Sequence, residues 1–164
     1  MPVYLAMLAD EAPNEPEAIP DFAETIIDRF LKWIDDPVHR KLALEASLPR
    51  QLNKDIIKRL LPPTTDSDEY FRWLCDRPFV QNRGGARAYH PTVRELMVKH
   101  LRQRSIEDWD TLNTHIAWYF EERANALGLS DRDQQFRDLD WQKYMLEYHY
   151  HQMLINYKKG IPDN

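Results

Sequence analysis

Cysteine, glycine and long apolar runs are all scarce in this chain, and each shortage excludes something. The single Cys75 leaves no disulfide framework and no cysteine zinc site. No apolar run approaches the roughly 20 residues of a membrane span, so no membrane partner is expected. The opening Met1-Pro2-Val3-Tyr4-Leu5 has neither a basic n-region nor a cleavable apolar core. A secretory leader is therefore not expected, and a reducing, cytoplasmic setting is. A Gly-x-x-x-x-Gly-Lys loop and a dinucleotide fingerprint are both missing, so this chain alone is expected to be no enzyme and to hydrolyse no nucleotide.

What is present describes a folded, mostly helical protein. With 43% hydrophobic residues across 164 positions, the chain can bury a real core. Only four glycines, set among long segments of 3.6-residue period, favour helix over sheet. The net charge of −5 argues against wholesale nucleic-acid binding while leaving room for a local basic face.

Three regions are predicted: a helical, lid-like segment and linker over 1–35, a central domain over 36–104, and a helical arm over 105–164. Residues 1–10 are apolar, and an acidic, proline-bearing linker follows from Asp10 to Pro20. Asp21 is a plausible N-cap for a helix to Asp35, with Phe22, Ile26, Ile27, Phe30, Leu31 and Ile34 as its apolar stripe. Asp36-Pro37 opens the next helix, which Pro49 ends. Asn53 caps a third, Lys54 to Leu61, closed by Pro62-Pro63. Asp66 or Ser67 starts the helix that carries Tyr70, Phe71 and Leu74. In the arm, Ser105 and Asp108 form a loose capping pattern for a helix from Ile106 to Leu127, with Gly128 as C-cap. A last helix covers Ser130 to Tyr157, with a break near Asp138 to Asp140.

The stretch from Tyr70 to Arg104 organises the rest. Two five-residue strands, Pro78 to Asn82 and Ala86 to His90, are joined at Gly84-Gly85, a hairpin signal. Pro91 then begins a basic amphipathic helix, because proline at a first helical position has no intrahelical N–H bond to lose. Helices, hairpin and closing helix make the outline of a winged-helix domain flanked by helical segments, and the fold class expected is mostly α.

Most candidate chemistry is weak. His149 and His151 sit two apart on a predicted helix, a spacing that does not converge on a metal, and no metal site is expected. Cys75 beside Leu74 reads as a buried structural thiol. The pairs Asp35-Asp36 and Glu121-Glu122 read as solvated. A basic face is the better candidate for an anion or nucleic acid, through Arg50, Lys54, Lys58, Arg83 and Arg87. Lys54 and Lys58 lie on the third helix, which with the wing is what a DNA binder would present. Asp55 on that same helix weighs against DNA.

The word Tyr89-His90-Pro91-Thr92-Val93-Arg94-Glu95-Leu96 resembles the Met-His-Asp motif of signal-transducing STAND NTPases, the NB-ARC and NACHT-like family. That motif lies between the last winged-helix strand and the following helix. The family's histidine contacts the β-phosphate of bound ADP, and the resemblance assigns this role to His90. A histidine at a strand end beside a helix N-terminus suits an anion. Pro2-Val3-Tyr4-Leu5 is similar to the family's Gly-x-Pro motif, which makes Pro2 the residue lining the adenine pocket. Ala46 to Asn53, Phe71-Arg72-Trp73-Leu74 and Tyr148-His149-Tyr150-His151 resemble further segments of bacterial members. Pro91 departs from the motif's aspartate, and the Walker motifs are absent.

The resemblance implies a non-catalytic regulatory module of a longer ATPase, closing over ADP and mediating conformational change and oligomerisation. ADP or ATP would belong to the parent protein, with no cofactor in this chain alone. Its partners would be the nucleotide-binding domain of the same parent chain and proteins met through the helical arm. Two alternatives stand beside it. One is a free-standing winged-helix DNA-binding transcriptional regulator. The other is a protein–protein adaptor, which predicts an exposed apolar stripe along Trp141, Tyr144 and Tyr148.

Overall fold

The computed structural model describes residues 27–28 and 30–156. The expectations for Pro2, the acidic linker, Asp21, Phe22 and Ile26 lie outside the described residues, as does Tyr157. Within them the chain is mostly helical with one small antiparallel sheet. Residues 27–28 and 30–32 are helical, and Ile27 and Leu31 are buried. The named elements are α1 (Pro37–Glu45), α2 (Lys54–Leu60), α3 (Ser67–Cys75), β1 (Val80–Arg83) and β2 (Ala86–Tyr89). They continue with α4 (Pro91–Arg104), α5 (Ile106–Asn125), α6 (Arg132–Arg137) and α7 (Leu139–Asn156).

Short polar side chains set the helix starts, each accepting from backbone N–H groups that the first turn leaves unpaired. Asp36 accepts from Val38 and His39, Asn53 from Ile56, Asp66 from Asp68, and Ser105 from Asp108. The His39 amide, foremost among these influences, holds the Asp36 carboxyl below its ordinary range. The expected break in the last helix falls at Asp138, whose carboxylate accepts from Trp141 N at 2.8 Å and starts α7 afresh.

The hairpin pairs Val80 with Tyr89 and Arg83 with Ala86, so the first strand starts two residues later and ends one later than expected, and the second ends one earlier. Gly84 and Gly85 have φ of 60° and 86°, the left-handed pair that a tight two-residue hairpin turn requires. A third rung comes from Leu52, whose N–H donates to Arg87 O at 2.7 Å and bridges the α1–α2 connection to β2. The order helix, rung, helix, helix, strand, strand, helix follows from these pairings.

One hydrophobic cluster runs through both the hairpin region and the arm. It joins Leu42, Leu48, Ile56, Leu74, Phe79, Tyr89, Val93 and Met97 to Trp109, Ile116, Tyr119 and Phe120. Helix α4 packs on α1 and α5, α2 packs on α3 and α5, and α5 and α7 lie against each other over most of their length. Tyr144 and Tyr148 are half-buried against this core, and Trp141 is half-buried beside Phe136. The exposed apolar residues of α7 are instead Leu139, Leu146 and Met153, seven apart, so the stripe expected on the three aromatics is turned inward. Aromatic side chains carry the largest burial gain, which is why they win the inner face.

Candidate functional site

The strand-to-helix word folds so that its apolar members fix the position of its polar ones. Tyr89 is buried at the end of β2, and its hydroxyl donates to Ala43 O at 2.7 Å, tying the hairpin to α1. Complete burial pushes that phenol well above its ordinary pKa. Val93 and Met97, one turn apart on α4, are buried beneath it. Between these anchors the His90 N–H donates to Phe79 O at 2.7 Å, and its carbonyl accepts the first α4 bond from Arg94 at 2.9 Å. Its side chain makes no capping bond and is exposed at the α4 N-terminus. Pro91 follows at the first helical position, where φ restriction suits the helix.

Arg94, one turn on, is half-buried and committed. Its Nη2 donates to Leu48 O at 2.6 Å and to the Tyr150 hydroxyl at 2.8 Å. Arg50 approaches Tyr150 as well, with its guanidinium carbon 4.8 Å from the ring centroid. Arg50 also pairs with Glu147, Nη2 to Oε1 at 3.0 Å. Arm and hairpin region are therefore joined by two arginines, one tyrosine and one carboxylate.

The five cations of the expected anion face are dispersed. Arg50 and Arg83 border one groove of about 670 Å³ with Arg94, Lys99 and Arg102. Lys58 borders a different groove, between α2 and α5. Lys54 pairs with Asp68 at 2.9 Å. The neighbouring Arg59 is bonded to Glu122, so that carboxylate is partnered rather than merely solvated. Arg87 is exposed on β2. The helix expected to be basic is Lys54–Leu60, with Lys58 and Arg59 in its last turn and Asp55 in its first. The helix after it, Ser67–Cys75, opens with Asp68 and Glu69. Charge on α3 opposes a phosphate backbone.

His149 is exposed and His151 is buried, so the two face different surroundings. His151 Nδ1 lies 2.8 Å from Asn113 Oδ1, and Asn113 Nδ2 donates to Trp109 O at 2.9 Å. Burial, with Arg94 and Arg50 nearby, drives His151 down to about 3, so the ring is neutral at physiological pH. Nδ1 is then the donor to Asn113. Among the described residues no group of three or more His, Cys, Asp or Glu could hold a metal ion. Cys75 is half-buried rather than fully enclosed, with burial raising its thiol pKa.

Two buried acids escaped the sequence reading. Glu45, at the end of α1, is pushed up to about 7 by burial, against the pull of Lys41, with Asp108 raising it further. Glu147 sits in the aromatic run of α7 and takes Arg50. A lone carboxylate inside Tyr-Met-Leu-Glu-Tyr-His-Tyr-His was the signal available, because such a group needs a partner if its helix is half-buried.

Comparison with protein-family models, curated proteins and solved structures finds no match to this chain.

Proposed function

We propose that this chain is the winged-helix regulatory portion of a STAND-type ATPase switch. In this reading it performs no chemistry. It closes over ADP through His90 in the resting state and moves away on nucleotide exchange, permitting oligomerisation. The observation that carries the reading is His90 itself. Its backbone is fixed by Phe79 and Arg94, its neighbours Tyr89 and Val93 are buried, and its imidazole is exposed at the α4 N-terminus. An exposed imidazole there adds a hydrogen-bonding group to a helix end already favourable to phosphate. The helix, rung, helix, helix, hairpin, helix order agrees with a winged helix, and Pro2 would complete the adenine side.

The switch is a population shift. ADP biases the closed state only by the contacts it loses on opening. His90→Ala in the protein that carries the nucleotide-binding core should speed ADP release by roughly tenfold, the worth of one charge-assisted hydrogen bond of about 1.5 kcal/mol. Without that core, the 164 residues should bind nucleotide weakly at most. An unchanged ADP release rate would remove His90 from the switch.

The second reading is a free-standing DNA-binding regulator, favoured by exposed Arg83 and Arg87 on the hairpin. Ion pairs at Arg50 and Lys54 and the acidic start of α3 weigh against it. It predicts duplex binding that falls steeply with salt.

A further inference from the structure

We propose that the basic groove beside α4 is a docking site for the acidic segment Asp10–Asp21 of this same chain. This holds whether or not the nucleotide switch does. The groove is bordered by Arg50, Arg83, Arg94, Lys99 and Arg102, with Glu95 as its one carboxylate. Arg50 is matched by Glu147 and Arg102 lies over the Trp109 ring, which leaves exposed Arg83 and Lys99 and half-buried Arg94 around a single acid. Arg94 Nε is buried without a hydrogen-bond partner. Like charges held together in a half-enclosed groove repel one another until an anion joins them.

The sequence supplies that anion. Of the 27 acidic residues, seven precede residue 29, and none of the 22 lysines and arginines does. The net negative charge of the chain therefore resides wholly in its first 28 residues. Asp10, Glu11, Glu15 and Glu17 alternate with Ala12, Pro13, Pro16 and Ala18. Prolines at this density restrict φ and remove backbone donors, so less entropy is lost on docking. Its small apolar residues suit Ala88, Val98 and Leu154, which line the same groove.

Reach is sufficient. Asp28 lies 3.6 Å from His100 Nε2, so the chain enters the described core against α4. Eleven residue steps separate Glu17 from Asp28, and even at a helical rise of about 1.5 Å each they span about 16 Å, while a helix with side chains is about 10–12 Å across. Segment Asp10–Asp21 can therefore pass from the core side of α4 to its groove side.

The test compares amide spectra of the full chain with those of a variant carrying Asp10→Asn, Glu11→Gln, Glu15→Gln and Glu17→Gln. Chemical-shift differences should cluster at Arg83, Arg94, Val98 and Lys99 and leave α2 unchanged. They should collapse when ionic strength rises from about 0.05 M to about 0.5 M. Lys99→Glu, at an exposed position, should reproduce the same shifts in the unaltered segment background. Differences confined to residues 9–22, or clustered at another face, would overturn the assignment. So would differences that grow with protein concentration, which would make a second copy the occupant. Inorganic phosphate shifting the groove amides equally in both proteins would mark a free-anion site instead and overturn it too.

Discussion

The Arg94 guanidinium and the Tyr150 hydroxyl meet at 2.8 Å across 56 positions of sequence. The same Nη2 serves Leu48 O, so a single nitrogen links α4, the α1–α2 connection and α7. The arm is thus held on the hairpin region by polar bonds as well as by the shared core.

Removing that nitrogen should cost more than removing its partner. Arg94→Met leaves the buried Leu48 carbonyl unmet and should destabilise by about 1–3 kcal/mol, while Tyr150→Phe should cost about 1 kcal/mol. In urea unfolding the double variant should cost less than the sum, because both changes break one bond. Strict additivity would show that the Arg94–Tyr150 bond contributes nothing.

Glu45 should make the protein lose stability as pH rises. Its carboxyl holds a proton to about 7 in the folded chain and releases it near 4.5 when unfolded. The native state binds more protons across that window. The contribution is therefore complete below about pH 4.5 and gone above about 7, a change of about 3 kcal/mol. Glu45→Gln should remove this contribution, read as the difference between variant and wild-type denaturation curves taken at successive pH values.

His151 should act with the opposite sign. Its folded pKa of about 3 lies below the ordinary 6.5, so the native state refuses a proton that the unfolded chain accepts. Stability is complete above about pH 6.5 and falls as pH drops toward 3. Between about 4.5 and 6.5 the two groups offset each other, so wild type should look flat there. Glu45→Gln should expose the acid-side loss. Nitrogen shifts should show a neutral ring at pH 5, with the proton on Nδ1.

At the hairpin tip, alanine should be penalised for backbone reasons alone. A Cβ at Gly84 or Gly85 meets no heavy atom within 4 Å, yet both residues have positive φ. Each substitution to Ala should cost about 1–2 kcal/mol, and Asn at Gly84 should cost less. Thermal melts of the two alanine variants decide this; equal stability to wild type would mean the turn rearranges freely.

Much of the fold was legible because its signals are local. Asp36-Pro37, Asn53, Ser105 and Gly84-Gly85 announce starts and turns through short side chains and missing Cβ atoms. Which face of α7 turns inward was not legible, since Trp141, Leu139 and Leu146 are all apolar and only the packing partner ranks them. The Leu52–Arg87 rung was also hidden, because a single bridge leaves no alternation pattern. At the candidate site, the position of His90 followed from the strand-to-helix junction. The pairing of Arg50 with Glu147 did not, because contacts 97 residues apart carry no local signature.

His90 is the residue on which the proposed switch turns, and the reading frame upstream of Met1 tests that role most directly. An uninterrupted frame encoding a Walker-type phosphate loop roughly 150–250 residues earlier is the predicted result. An in-frame stop before any such loop would contradict it, and salt-dependent duplex binding through Arg83 and Arg87 would become the function to measure.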